Sequence, residues 1–260
     1  MGVGPVSATA ATGCGLSGAA TIRTTGVVVA LASEAKALVS RNVQPECVTP
    51  LADGAALWLS GMGQAAAQRA AHGLIDAGAK ALAIFGVAGA LDARLRNGTL
   101  FCPECILDDN GRDYATDARW RTHLVQRLAA TTQLPHANGS LLSVQTPLLT
   151  ALAKTAAHER YATLAVDMES AAVAAVARER DLPFVCVRAI VDEVDDTVPL
   201  ALHDSVDAWG RPRPLGLIAA LCRHPSLWAD LPRLYSRMQG ATLALRTVAE
   251  ATGPTLGWRA

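Results

Sequence analysis

Along the chain, short apolar runs alternate with stretches in which apolar residues recur every three or four positions. VVVAL (27–31) predicts a first strand, and EAKALVSR (34–41) a helix behind it. ALWLS (56–60) predicts a second strand, followed by an Ala-rich helix through GMGQAAAQRAAHGLIDAG that stops at Gly78. ALAIFGVAG (81–89) is a continuous apolar run of the kind that forms a buried strand, and it ends in a glycine turn. TLFCPECILDDNGRDYATD predicts a hairpin, with Asp109-Asn110-Gly111 as its turn. GSLLSVQ predicts another strand. LAVDM leads into a helix, ESAAVAAVARER, which ends near Asp181-Leu182-Pro183, and PFVCVRAIVDEVDD closes the series as a strand with acids at its C-terminal end. This alternation predicts an α/β fold: a mostly parallel sheet with helices on both faces. Residues 27–210 contain no repeat or linker that would divide them.

Composition narrows the picture. At 51% hydrophobic residues the chain can bury a large core, and 23 basic against 23 acidic side chains argue against a general nucleic-acid binder. No apolar run approaches the ~18 residues that span a bilayer. Residues 1–26 are small and polar, with neither a basic start nor an apolar stretch, and are expected to form a poorly ordered extension rather than a leader. Six scattered cysteines suit reduced thiols, so the expected location is cytoplasmic.

Several motifs fail on context. GCGLSG (13–18) matches a dinucleotide fingerprint but has no strand before it and no helix after it. GMGQAA (61–66) does follow a strand and open a helix, and its amides can hold an anion or a polarised oxygen. The acid expected after the next strand is missing, which disfavours a dinucleotide-binding oxidoreductase without removing it. Cys102-Pro103-Glu104-Cys105 lacks the further ligands that structural zinc needs, so no metal is expected.

The acids carry more. Ligands of open α/β sheets bind beyond the carboxyl ends of strands, and Glu34, Gly61–Gly63, Gly86–Gly89, Asp167-Met168-Glu169 and Asp192 all fall at such ends. Asp167 and Glu169 straddle a strand-to-helix junction, where one is expected to cap the helix and the other to project into the crevice. One crossover later, Asp192 follows an apolar strand. The stretch AVDMESAAVAAVARERDLPFVCVRAIVDEVDD resembles the C-terminal signature of the purine nucleoside phosphorylase and nucleosidase superfamily, and VALASEAKAL, LSGMGQAAA and FGVAGALD extend the resemblance upstream.

That resemblance implies a single-domain, three-layer α/β fold with a mixed central sheet, and cleavage of an N-ribosidic bond. It implies that Asp192 is the acid to the departing base and that Glu169 grips the ribose hydroxyls with Met168 packed beneath the sugar. Val166, Ala88, Gly89 and Gly63 join the substrate-binding loops, and Glu34 activates water as the nucleophile. For Asp192 to keep a proton near neutral pH, desolvation by the neighbouring Val and Ile residues is the expected cause. Phosphorylases of the superfamily hold phosphate with Arg residues near the third strand's turn; IFGVAGAL has none, which favours hydrolysis and leaves phosphorolysis, with inorganic phosphate as co-substrate, as the alternative. No other cofactor is expected. The chain has Val87 and Val191 where the family often has Ser, which removes a hydroxyl beside Asp192. The base-binding loop, VQTPL, is not legible.

From Arg211 to Val248 apolar residues at helical spacing accompany six Arg and one Asp, and Pro225 and Pro232 are expected to break the segment into short helices. Such a tail (211–260) suits either an anionic membrane surface at the inner membrane or docking on the core or a second copy. Following this core, it resembles the hopanoid-associated phosphorylase branch, which implies adenine release from adenosylhopane, a lipid-linked nucleoside, and a homo-oligomer. A non-catalytic membrane-surface protein that keeps the fold is the remaining alternative.

Overall fold

In the computed structural model, residues 22–130, 135–199, 205–213, 221, 223 and 227–259 are described. Ten strands form one mixed sheet: β1 (Thr25–Val29), β2 (Val48–Pro50), β3 (Ala56–Leu59), β4 (Ala81–Ala90), β5 (Leu100–Phe101), β6 (Cys105–Asp108), β7 (Asp113–Ala115), β8 (Ser140–Ser143), β9 (Ala165–Asp167) and β10 (Phe184–Asp192). The α-helices bounded among the described residues are α1 (Ala32–Leu38), α2 (Gln64–Asp76), α3 (Ala118–Leu128), α4 (Ala151–Tyr161), α5 (Ser170–Glu179) and α6 (Leu227–Thr252). β1 begins two residues ahead of the expected Val27; of the proposed extension, residues 1–21 lie outside the described residues.

The alternation of side chains along the strands divides the core in two. Val28 of β1 and Phe184, Cys186 and Ile190 of β10 face α2 and α5. Val27, Val29, Val185, Val187 and Ala189 face the opposite layer, built from α1, α3 and α6. The result is a helix–sheet–helix sandwich. Parallel pairing runs through β3-β1-β4-β10 and through β6-β8-β9, while β2, β5 and β7 join antiparallel. The sheet is thus less parallel than the alternation alone suggests.

One edge of β4 positions everything that follows. β10 runs beside β4 from Leu82 to Gly89. On its other edge, β1 pairs only with Ala81–Ile84, and β9 takes over, antiparallel, at Gly89 and Ala90. Between the two partners Gly86, Val87 and Ala88 are left without a strand on that side. Sheets open crevices where neighbouring strands diverge in this way.

The C-terminal segment departs from the expected broken helices. α6 is continuous over 26 residues with Pro232 inside it. Proline removes its own N–H, which leaves the carbonyl four residues earlier, at Trp228, without its helical donor. Trp228 is exposed, so water can take that role. The cost is offset further along, where Ala241, Ala244, Leu245 and Val248 are fully buried in the core layer beside α1 and α3. Pro225 lies outside the described residues. Among the described residues no helix is long and apolar enough to cross a membrane.

Candidate active site

A cavity of about 170 Å³ opens at the bare edge of β4. Its acidic wall is made by Glu34, Asp167, Glu169 and Asp192, and its aliphatic wall by Leu31, Met62, Val87, Val144, Leu148, Val166, Met168, Val191 and Val198 among others. Of the residues singled out in the sequence, Glu34, Glu169, Asp192, Met168, Val166, Ala88 and Gly89 line this cavity. Gly63 does not, but its amide donates to Glu169 Oε1 at 2.7 Å.

Glu34 stands in the first turn of α1, turned inward and buried. Its Oε2 accepts the amides of Ala30 (2.9 Å) and Leu31 (2.8 Å), and its Oε1 accepts that of Val87 (2.8 Å). The carboxylate therefore satisfies one of the β4 amides that neither β1 nor β9 reaches. A carboxylate oxygen accepts two hydrogen bonds, so Oε2 is filled and Oε1 keeps one position. Burial pushes the Glu34 carboxyl above the ordinary range, against the pull of the nearby Arg188 guanidinium.

Asp167 caps α5 as expected, its Oδ1 accepting the Ser170 amide at 3.2 Å and the Glu169 amide at 3.3 Å. It has a second role: Asp167 and Arg188 form an ion pair in which both side chains are all but inaccessible to solvent. Arg188 sits mid-strand in β10, on the face shared with Ile190, and both its guanidinium and the Glu34 carboxylate stand over Gly86. A Cβ at Gly86 would stand 2.3 Å from Glu34 Oε1 and 2.6 Å from Arg188 Nη1, so only glycine fits. Arg188 lies within the stretch that resembles the superfamily signature, but its place as the cation beneath the acidic wall is visible only in the fold.

Glu169 is held by the Gly63 amide, a contact that needs the backbone at Gly63 in a positive-φ conformation (φ 95°) open to glycine. Its Oε2 accepts the Met168 amide at 3.3 Å. Each oxygen keeps one accepting position toward the cavity. Burial, and the neighbouring Asp167 charge, push the Glu169 carboxyl up to about 7.

Asp192 corrects an expectation. Its aliphatic neighbours are present, but its nearest partner is the buried ammonium of Lys154 from α4, in an ion pair. The setting is a charge pair rather than a purely apolar one. The strand-and-helix pattern of the sequence predicts neither α3 nor α4, so nothing in it points to Lys154, which α4 carries on its buried face. The signals were there: Asp117 accepts the Trp120 amide and Thr150 the Ala153 amide, the caps that begin those two helices.

The crevice at a strand divergence, walled by four carboxylates and aliphatic side chains, is the candidate small-molecule site of this α/β protein. The chain belongs to the phosphorylase superfamily, whose family model matches residues 24–223. Among solved structures it is similar to a putative 5′-methylthioadenosine/S-adenosylhomocysteine nucleosidase from Francisella philomiragia, with TM-score 0.66, 16% identity, and coverage of 91% of this chain and 100% of that one. The Neisseria meningitidis nucleosidase of the same description, in complex with methylthio-immucillin-A, gives TM-score 0.65 at 18% identity over 88% of this chain and 98% of that one. The futalosine hydrolase of Helicobacter pylori gives 0.62 at 15% identity, with 88% and 98% covered. At these identities the likeness concerns the fold. No curated protein sequence matches the chain.

Proposed function

We propose that the chain hydrolyses the N-ribosidic bond of a purine nucleoside carrying an apolar substituent, and that adenosylhopane, with adenine as the released base, is its substrate. The observation that carries the reading is the cavity wall: four carboxylates and no cationic side chain among the described residues that line it. A phosphate ion or a nucleotide would find no lining cation to hold it there, whereas water and a developing oxocarbenium ion are suited to a wall of carboxyl groups.

The roles follow from the unfilled acceptor positions. Glu34, its carboxyl pushed up by burial, takes a proton from water at Oε1. Glu169 accepts the two ribose hydroxyls, one at each oxygen, while Met168 and Val166 pack against the sugar. Asp192 presents Oδ1 to the base, and Ala88 and Gly89 leave room between them. The aliphatic residues Leu31, Met62, Val144 and Leu148 suit a hydrophobic body joined to the ribose. In this reading the protein works in the cytoplasm at the inner membrane surface. Support comes from Trp228, Tyr235 and Leu243, large apolar side chains that α6 leaves exposed.

The test is free adenine release from adenosylhopane and from 5′-methylthioadenosine, with and without inorganic phosphate. Equal release in both conditions is expected. A strict phosphate requirement, with a ribose 1-phosphate product, would replace hydrolysis by phosphorolysis.

A further inference from the structure

Lys154 is the one fully buried lysine among the described residues, and burying an ammonium is costly unless each of its donors is engaged. Its three N–H groups go to Asp192 Oδ2, to the Glu193 carbonyl at 2.7 Å and to the Asp196 carbonyl at 3.1 Å. The other charges nearby are already spoken for. Glu193 pairs with Arg96 and Arg237, and Asp196 with Arg233 and Arg237. No second cation is within ion-pair distance of Asp192 among the described residues. Lys154 takes one accepting position on Oδ2, and no described residue donates to Oδ1; both oxygens lie over Gly89, where a Cβ would stand 3.0 Å from Oδ2 and 3.2 Å from Oδ1.

We infer that Lys154 is a positioning residue for base departure: by holding Oδ2 it fixes the Asp192 carboxyl at the cavity wall with Oδ1 open to the leaving base. The inference rests on the hydrolase reading. As the C1′–N9 bond breaks, its electron pair passes to the base, and a base nitrogen takes a proton that Asp192 Oδ1 has first taken up from solvent. Water adds its oxygen to C1′ and loses a proton to Glu34. Lys154 holds the Asp192 carboxyl in one orientation toward the base, and a misplaced carboxyl slows proton delivery even when its charge is unchanged. Lys154 thereby takes over the orientation that a hydroxyl at position 191 would supply; Val191 has none.

Because the effect concerns protonation of a poor leaving group, it must vanish when the leaving group needs no proton. The experiment compares 5′-methylthioadenosine with 4-nitrophenyl β-D-ribofuranoside, whose nitrophenolate departs unaided, in the parent and in Lys154→Met. The expected result is a selective loss: kcat on methylthioadenosine falls about a hundredfold or more relative to kcat on the nitrophenyl riboside. Equal losses on both substrates would overturn the inference and leave the hydrolase reading standing. No turnover of either substrate by the parent overturns both. If Lys154→Met folds poorly, the pair Lys154→Met with Asp192→Asn removes both charges together. Its rate on methylthioadenosine is expected to match that of Asp192→Asn alone within about twofold, because a residue acting only through Asp192 adds nothing once the acid is gone. A rate far below Asp192→Asn overturns the inference.

Discussion

Glu34 Oε1 accepts the amide of Val87 at 2.8 Å across 53 residues of sequence, filling the place on β4 that no strand occupies. One side chain thus closes the sheet and faces the cavity. Glu34→Gln keeps the shape but offers one oxygen to three amides. Adenine release is expected to fall roughly a hundred- to ten-thousand-fold, with a stability loss of about 1–3 kcal/mol for the amides left unsatisfied. Steady-state rates and urea melts read the two effects separately; unchanged rates would dismiss Glu34 as the base.

Gly86→Ala forces a methyl to 2.3 Å from Glu34 Oε1, whereas the same change at Gly89 meets Asp192 Oδ2 at 3.0 Å. The first is expected to cost about 1–3 kcal/mol as overpacking of a fixed ion-pair site. The second should cost clearly less and act mainly on base departure. Thermal melts of the two variants set the order, and a reversed order would contradict the packing described.

The Asp167–Arg188 pair is buried on both sides, so removing one partner strands the other charge. Asp167→Asn is expected to cost about 3–5 kcal/mol and to lower activity through Glu34 and Glu169, which share the Arg188 field. Equilibrium unfolding measures it.

The Glu169 carboxyl keeps its proton up to about 7, against 4.5 for an unburied glutamate. Between those values the folded chain binds more protons than the unfolded one. Stability is therefore fully present below about pH 4.5 and is lost as pH rises through about 7, by about 3 kcal/mol from this group. Glu34, also pushed up by burial, acts with the same sign. Melting temperature is expected to decline over this window in the parent and to decline less in Glu169→Gln. A parent profile that rises across the window would contradict the burial of Glu169.

Leu245 and Val248 of α6 are fully buried, while Trp228 is 64% exposed. Leu245→Ala is expected to cost about 2–5 kcal/mol, and Trp228→Ala to lie within about 0.5 kcal/mol of the parent. Chemical denaturation distinguishes a tail that belongs to the core along its second half from one that merely rests on it.

The sequence made the central strands legible because VVVAL, ALAIFGVAG and PFVCVRAIV are apolar on both faces, as strands covered by helices must be. The carboxylates were legible because they break such runs at strand ends. What stayed hidden was relational. A lysine in an Ala-rich segment reads as a solvated charge until α4 is turned so that Lys154 and Ala157 face inward. Arg188, likewise, gives no sign in the sequence of pairing with Asp167 while its charge reaches Glu34. Pro232 read as a breaker because propensity is local, whereas the docking of Ala241 to Val248 that holds α6 together is not.

The hydroxyl of Thr25, in the opening strand, donates to the carbonyl of Thr255 at 3.3 Å, across 230 positions. Trp120 reaches the same terminal turn, its indole N–H donating to Leu256 at 2.8 Å. During synthesis the first strand therefore emerges long before its last companion exists, and an apolar sheet face must wait uncovered until the ribosome has released that turn. Disrupting the turn at Thr255 and Leu256 is therefore expected to slow productive folding of the sheet before it touches the cavity.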